Sequence, residues 1–323
     1  MPRAAHPAEL SIFQQHLIGT WTNQNLPGTG KGDASSPYSY NVMPLPQESR
    51  QPSGQDTGYI LKNFTLYETV TFHGTDAAVT VPGAATNRGG AYAQTAYALF
   101  YDQQVRTPEG PAAGKIVHLE NGAWLHLQTE PQIIGPYGYP SGDPLHEKGD
   151  PVPQPPGMTI AKQISVPHGN SVLALGSFSM RDGSPDIPDA PSVFPVPDGL
   201  NTAPYSQALD SPANYQNPQP AFALGITSTL QQAVSDLESA AKPVLSYIHC
   251  HVDTVNGGAV MNIPFEIRKA ALTRYVADYW LLSLDGVNYD TLAYVQTMEL
   301  AIMVNGARYT FPHATANVIS KSA

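Results

Sequence analysis

The chain of 323 residues is long enough for one large β domain or two ordinary ones. Only 13% of its residues are charged, and its 31 prolines and 27 glycines indicate turns and long loops rather than long helices. A net charge of −10 argues against nucleic acid or an anionic membrane as partner, and the single cysteine, Cys250, excludes an intramolecular disulfide framework. The N-terminus lacks the apolar core of a signal peptide, so we expect a cytoplasmic protein.

The N-terminal segment predicts a short helix followed at once by a strand. Residues 8–18 place Leu10, Phe13, Leu17 and Ile18 near one face of a helix. Gly19-Thr20-Trp21 comes next and is typical of a strand that begins with a buried tryptophan. Residues 27–58 are rich in Gly, Pro, Ser and Gln, and we expect a long loop there.

From residue 59 onward, short runs of alternating polar and apolar residues predict β-strands. The pair Asn121-Gly122 predicts a hairpin turn or a bulge. Because strands and helices do not alternate, an antiparallel barrel or sandwich is expected. The core strand regions are about 17–21, 59–128, 159–180 and 245–319, and the insertions are about 27–58, 130–158 and 181–243. The third insertion includes a predicted helix over 229–242 that Pro243 ends.

The end of the chain carries the strongest local signal, a β-hairpin turning at Asn305-Gly306. In its second strand Tyr309, Phe311, His313 and Thr315 share one face. A histidine among aromatic residues is compatible with a buried ligand to a metal or a heme. It is equally compatible with a surface residue beside Pro312.

Four short segments occur in an order that resembles the nitrobindin family, the heme-binding relatives of fatty-acid-binding barrels. They are Leu17-Ile-Gly-Thr-Trp21, His118-Leu-Glu-Asn-Gly-Ala-Trp124, Pro167-His-Gly-Asn-Ser-Val172 and the stretch 298–319. The resemblance implies an all-β fold, an antiparallel calycin-like barrel with a short N-terminal helix, formed as a single domain over 1–323. The chain is about twice as long as a typical nitrobindin domain, with the excess in the loops. It also has Pro312-His313 where the family often has His-His or Gln-His.

The same resemblance implies a heme b cofactor with His313 as axial iron ligand and His118 near the heme edge. Thr20 and Trp21 are further expected cofactor-binding residues. Implied ligands are nitric oxide, peroxynitrite or peroxide, with isomerisation of peroxynitrite to nitrate as the family activity. An enlarged pocket could also serve a heme-dependent reaction on an organic substrate. Candidates for propionate or distal contacts are Thr20, Tyr67, His73, Arg274 and Tyr309.

Two other functions stay open at this level. A heme-free, lipocalin-like barrel would carry a hydrophobic small molecule. Alternatively, His249 and His251 project to one face of a strand and could bind zinc, copper or iron with Asp253 or a distant glutamate. Cys250 would then point the other way and pack as a small apolar residue. The long insertions suggest either a lid over a pocket or a homodimer contact.

Overall fold

In the computed structural model, the described strands form one antiparallel sheet. The described residues are 10–23, 38–46, 58–73, 84–87, 92–106, 114–131, 159–189, 191–203, 205 and 225–322. The strands are β1 (Gly19–Thr22), β2 (Tyr40–Pro46), β3 (Tyr59–Phe64), β4 (Tyr67–Phe72), β5 (Ala84–Asn87), β6 (Tyr92–Arg106), β7 (Ile116–Pro131), β8 (Ile160–Val166), β9 (Asn170–Asp182), β10 (Ser246–Asn262), β11 (Ala270–Ser283), β12 (Tyr289–Val304) and β13 (Ala307–Lys321). Three helices accompany them: α1 (Ile12–Leu17), α2 (Ser228–Ser239) and α3 (Pro264–Lys269).

Ten of these strands close into a barrel in the order β1-β4-β6-β7-β8-β9-β10-β11-β12-β13. The ring closes where Trp21 pairs with Lys321 and Thr22 with Ser320. Outside the ring, the β2–β3 pair extends from β13 and β5 pairs with β6. Closure removes free sheet edges and leaves alternate side chains pointing inward. The prediction of an antiparallel barrel with a short N-terminal helix and one inserted helix is confirmed.

The terminal hairpin forms as predicted, with Val304 paired to Ala307 across the turn. Asn305 has φ 51° and Gly306 has φ 83°. Both lie in the left-handed region that a two-residue hairpin turn needs, and Asn and Gly are the residues that adopt it most readily. Along β13, Thr315, Asn317 and Ile319 then face the barrel interior by the two-residue period of a strand.

Helix α1 covers one end of the barrel. Ser11 caps it by accepting a hydrogen bond from the Gln14 backbone N–H, and Gln14 Oε1 accepts one from the Ser11 backbone N–H. Gln14 Nε2 also donates to the carbonyl oxygens of Tyr97 and Trp124, at 2.9 and 2.8 Å. The Phe13 ring meets Trp124 edge-on, with ring centroids 4.9 Å apart. The amphipathic helix predicted from the N-terminal segment is therefore confirmed, and it forms the closed end of the barrel.

Three local predictions were wrong or incomplete. The predicted loop 27–58 contains strand β2, which pairs with β13 and β3. Gly122 lies in the middle of β7 instead of in a turn, where a Cβ atom would meet the carbonyl oxygen of Gln163 at 2.0 Å. Pattern analysis also missed helix α3. The insertion 130–158 lies outside the described residues except for its first two, which end β7.

The insertion 181–243 packs on the barrel through α2. The buried α2 residues Leu230, Ala233, Val234 and Leu237 share one apolar cluster with Ala314, Ala316 and Val318 of β13. These β13 residues alternate with those that face the interior, so α2 covers the outer face. Tyr38 OH donates to Asp236 of α2 at 2.6 Å, and Gln231 donates to the carbonyl of Ile187. No described residue of this insertion lines the internal cavity.

Candidate functional site

A cavity of about 410 Å³ lies inside the barrel at the end opposite α1. This volume falls in the range of about 300–1,000 Å³ that is usual for small-molecule sites. Most of its wall is apolar, from β2, β3, the β3–β4 connection, β6, β8 and β12: Met43, Leu45, Phe64, Leu66, Val105, Val166, Met298 and Leu300. Helix α3 and the turn between β8 and β9 lie at the same end and contribute Phe265, Lys269 and His168. The cavity thus has a mainly apolar wall with a few polar groups.

His313 lies on the cavity wall, where strand β13 places it beside β2. Its Nε2 donates to Oδ1 of Asn41 at 3.2 Å, and Thr315 Oγ1 donates to the same oxygen at 2.6 Å. Burial, followed by the charges of His118 and His168, lowers the pKa of His313 to about 4. The imidazole is therefore neutral at physiological pH, the form that binds a metal.

His118 also lines the cavity, and the buried carboxylate of Glu120 lies next to it. Its Nε2 is 3.6 Å from Oε2 of Glu120, two residues along β7 on the same face. That oxygen is buried and accepts no hydrogen bond within the described part of the chain. The other oxygen, Oε1, accepts from Tyr101 OH at 2.6 Å and lies 3.4 Å from Lys162 Nζ.

Lys162 and Glu120 form a buried ion pair inside the barrel. Lys162 is 4% exposed and Glu120 is 2% exposed. Lys162 Nζ donates to Tyr279 OH at 2.6 Å and to Tyr275 OH at 3.0 Å, so the ammonium is satisfied by phenolic oxygens. Burial alone would raise the pKa of Glu120, but Lys162, His118 and Tyr101 outweigh it and lower the value to about 2. Glu120 is therefore a carboxylate at neutral pH.

A second buried carboxylate, Glu68, lies deeper in the barrel. It accepts hydrogen bonds of 2.6 Å from Tyr294, Asn317 and Gln103. Burial nevertheless raises the pKa of Glu68 above its ordinary value. Tyr294 and Gln103 line both the main cavity and a void of about 20 Å³ next to Glu68. This layer of polar side chains is the floor of the cavity.

Two of the four predicted cofactor-binding residues lie elsewhere. Thr20 and Trp21 stand on β1 and do not line the cavity. Trp21 is fully buried and donates to the carbonyl of Leu17 at 2.6 Å, and Thr20 Oγ1 lies 3.2 Å from Thr71 Oγ1. They lie far from His313 because β1 pairs with the C-terminal end of β13, where Trp21 is opposite Lys321.

The further candidates for propionate or distal contacts are also absent from the cavity wall: Tyr67, His73, Arg274 and Tyr309. His73 is exposed and binds Asp102 at 2.5 Å. Arg274 binds Asp253 and Glu299. The cavity instead holds polar residues that pattern analysis did not single out. The sequence signal for Glu68 was a charged residue in line with Leu66 and Val70 on one strand face, and Glu120 had no such signal.

His249 and His251 share one face of β10 as predicted, but Asp278 of β11 is their partner. Asp278 Oδ1 lies 2.8 Å from His249 Nε2 and 2.9 Å from His251 Nδ1. Asp253 is engaged by Arg274 and is not a third ligand. Cys250 between the two histidines is fully buried, as expected. Across the described residues, no three side chains of His, Cys, Asp or Glu are grouped closely enough to hold a metal ion.

None of the helices in the described ranges has the length and apolar character needed to cross a membrane. No family model matches the sequence, and no curated protein matches it either. Among solved structures, the chain is similar to a crystal structure of Rv2717c from M. tuberculosis. The match has 13% identity and a TM-score of 0.36, and covers 98% of this chain and 100% of that one. A TM-score this low supports no conclusion about fold or function, so conclusions about both rest on the geometry of this chain.

Proposed function

We propose that the cavity binds heme b, with His313 as the axial iron ligand. The observation that supports this most is a neutral imidazole set in the wall of a mainly apolar cavity. Burial holds the pKa of His313 near 4, so protons do not compete with iron for this nitrogen at neutral pH. An apolar cavity suits a flat macrocycle whose only charged groups are its two propionates.

The residues fit this cofactor with one rearrangement. Binding of iron at Nε2 needs the His313 tautomer with its proton on Nδ1, so the hydrogen bond from Nε2 to Asn41 must break. Asn41 Oδ1 would keep its hydrogen bond from Thr315. The cationic Lys269 lines the same end of the cavity and complements a propionate. The ring itself would lie against side chains such as Phe64 and Met298.

With His313 holding it, heme b would supply an iron that can bind a small ligand such as nitric oxide or peroxide. The protein would therefore act on small oxidants or gases. The sequence resemblance to nitrobindins favours the same class of chemistry. This chain's residues would contribute the ligand His313, a mainly apolar cavity wall, and a second histidine, His118, on that wall.

The test is the absorption spectrum of protein produced with sufficient heme, together with two single variants. We expect a Soret band with about one heme per chain in the wild type, and its loss or marked weakening in His313→Ala. The matched control is His126→Ala, because His126 also lies on a barrel strand but does not line the cavity. A His313→Ala protein with unchanged heme content would refute the assignment.

A heme-free carrier of a hydrophobic small molecule is the second candidate. The hydrogen bond between His313 and Asn41 favours it, since that contact satisfies Nε2 without a metal. Under this alternative, the wild type stays colourless after titration with heme. An apolar fluorescent probe would then bind in the cavity, and Met298→Trp, which fills it, would block binding.

A further inference from the structure

Three histidines line the cavity, and only one of them is backed by a carboxylate. His118 and His168 have ring centroids 6.0 Å apart, and His313 is close enough for their charge to affect it. Within the described ranges, His118 alone of the three lies within 4 Å of an acidic side chain, that of Glu120. A carboxylate behind an imidazole orients the ring and stabilises its protonated form.

The position of His118 in the barrel also distinguishes it from the proposed iron ligand. Around the ring of ten strands, β7 is four strands from β13 in one direction and six in the other. The two histidines therefore face the cavity from nearly opposite walls. A small ligand held between them would meet His118 on the side away from His313.

We propose that His118 and Glu120 form a proton-accepting pair for an acidic small ligand that enters this cavity. This proposal rests on the proposed function, since the probe ligand binds at heme iron. Nε2 of His118 faces Glu120 and carries a proton, which leaves the lone pair of Nδ1 for the ligand. When a neutral acid HX binds, its H–X bond breaks, the proton moves to Nδ1, and X⁻ is retained. The charges balance as one imidazolium and one anion, and the proton returns to X⁻ on release.

Glu120 is suited to this part because one of its oxygens has an unmet acceptor position. Oε2 is fully buried and accepts no hydrogen bond among the described residues, while Oε1 is already held by Tyr101 and Lys162. The negative charge of this carboxylate, 3.6 Å from Nε2, would stabilise the positive charge that His118 acquires when Nδ1 takes up the proton. The distance of 3.6 Å is beyond a hydrogen bond, and such contacts often shorten once a ligand is bound.

Several other charged or titratable groups act on His118 and set the conditions of the test. They are Glu120 on its own strand, Lys162 and Tyr101 behind that carboxylate, His168 in the β8–β9 turn, His313 on β13, and Glu266 and Lys269 of α3 at the same cavity. The cations among them oppose protonation of His118, and Glu120 favours it.

The probe is hydrogen cyanide, which is neutral in solution and binds ferric heme as an anion. Calorimetric titration at pH 8 in two buffers of different ionisation enthalpy counts the protons released to solvent. We expect about zero in the wild type, because His118 keeps the proton, and about one in His118→Gln. We also expect the cyanide association rate to fall about 100-fold in His118→Gln. His126→Gln is the control, since His126 lies on the same strand away from the cavity. A count of zero in His118→Gln, or a rate within threefold of wild type, overturns the proposal.

To test the role of Glu120, a variant that still folds is needed, because Glu120→Gln alone leaves the buried charge of Lys162 without its carboxylate partner. The double variant Glu120→Gln/Lys162→Met removes both charges and is expected to release about one proton as well. In heme-free wild type, ¹⁵N spectra of the imidazoles at pH 8 should show His118 as the Nε2–H tautomer, with a mixture in the double variant. The absorption and ¹⁵N spectra test the two proposals separately. Lack of a Soret band refutes heme binding, whereas an Nδ1–H tautomer of His118 in the wild type refutes the His118–Glu120 proton-accepting pair.

Discussion

Replacement of Glu120 by glutamine should destabilise the fold by about 3 kcal/mol at pH 7. Glu120 has an ordinary pKa of 4.5, and the folded protein lowers it to about 2, because Lys162, His118 and Tyr101 outweigh the effect of burial. A difference of about 2.5 in pKa corresponds to about 3 kcal/mol that the carboxylate form contributes to folding. Loss of one partner of a buried ion pair costs about 3–5 kcal/mol, which agrees.

The sign of the pH dependence follows from the lowered pKa. The contribution of Glu120 is complete above about pH 4.5, where the unfolded chain also carries the carboxylate. It is lost as the pH falls through about 2, because protonated Glu120 resembles glutamine. The difference in unfolding free energy between wild type and Glu120→Gln should therefore be constant from pH 7 to 5 and shrink below pH 4. Besides burial, the charge of Glu120 is one cause of the raised pKa of Glu68, so Glu120→Gln also relieves part of that rise.

Urea denaturation monitored by tryptophan fluorescence at pH 7, 5, 4 and 3 measures this difference. Two controls locate the effect in the ion pair. Glu238→Gln, at an exposed carboxylate of α2, should change the free energy of unfolding by less than about 0.5 kcal/mol. Glu120→Gln/Lys162→Met should recover most of the loss, because neither charge is then buried alone. A difference below 1 kcal/mol at pH 7, or one that does not shrink in acid, would falsify this reasoning.

Three further changes probe other parts of the barrel. Phe13→Ala should lower the free energy of unfolding by about 3–5 kcal/mol, measured as a lower urea midpoint, because it leaves a void beneath α1 at the closed end of the barrel. A loss under 1 kcal/mol would mean that α1 does not stabilise that end. Gly122→Ala should cost about 1–3 kcal/mol by the same measurement, because its Cβ would meet the Gln163 carbonyl oxygen at 2.0 Å, and wild-type stability would contradict that contact. Asp278→Asn should lower the pKa of His251, because the hydrogen bond to Asp278 raises it. The stability that this bond confers is present below pH 6.5 and is lost as the pH rises through the folded pKa of His251. An NMR titration of His251 that is the same in Asp278→Asn and wild type would contradict this prediction.

Sequence reasoning was most successful where the signal is local. The two-residue period predicted most of the described strands, including the two on either side of Asn305-Gly306. It failed at Gly122, because an Asn-Gly pair favours a turn only when no neighbouring strand holds the backbone extended. It also missed β2, whose proline-containing sequence is typical of a loop and which pairs over only a few residues of β13.

The candidate site was predictable in part. His313 and His118 were chosen from the sequence, and both line the cavity. Thr20 and Trp21 were chosen by the same resemblance and lie at the other end of the barrel. The groups that define the chemistry of the cavity, Glu120 among them, have their partners on other strands, so no local pattern could identify those partners.

By itself, the sequence determined which segments become strands, because alternating side chains and turn residues act over a few neighbours. It also determined that a histidine, His313, follows a proline in the last strand, whereas the neutrality of that histidine comes from its burial in the folded barrel. Only the tertiary structure decided that β1 closes on β13 and that Lys162 meets Glu120. These contacts depend on barrel closure, which joins residues about 300 positions apart and has no signature in any short segment.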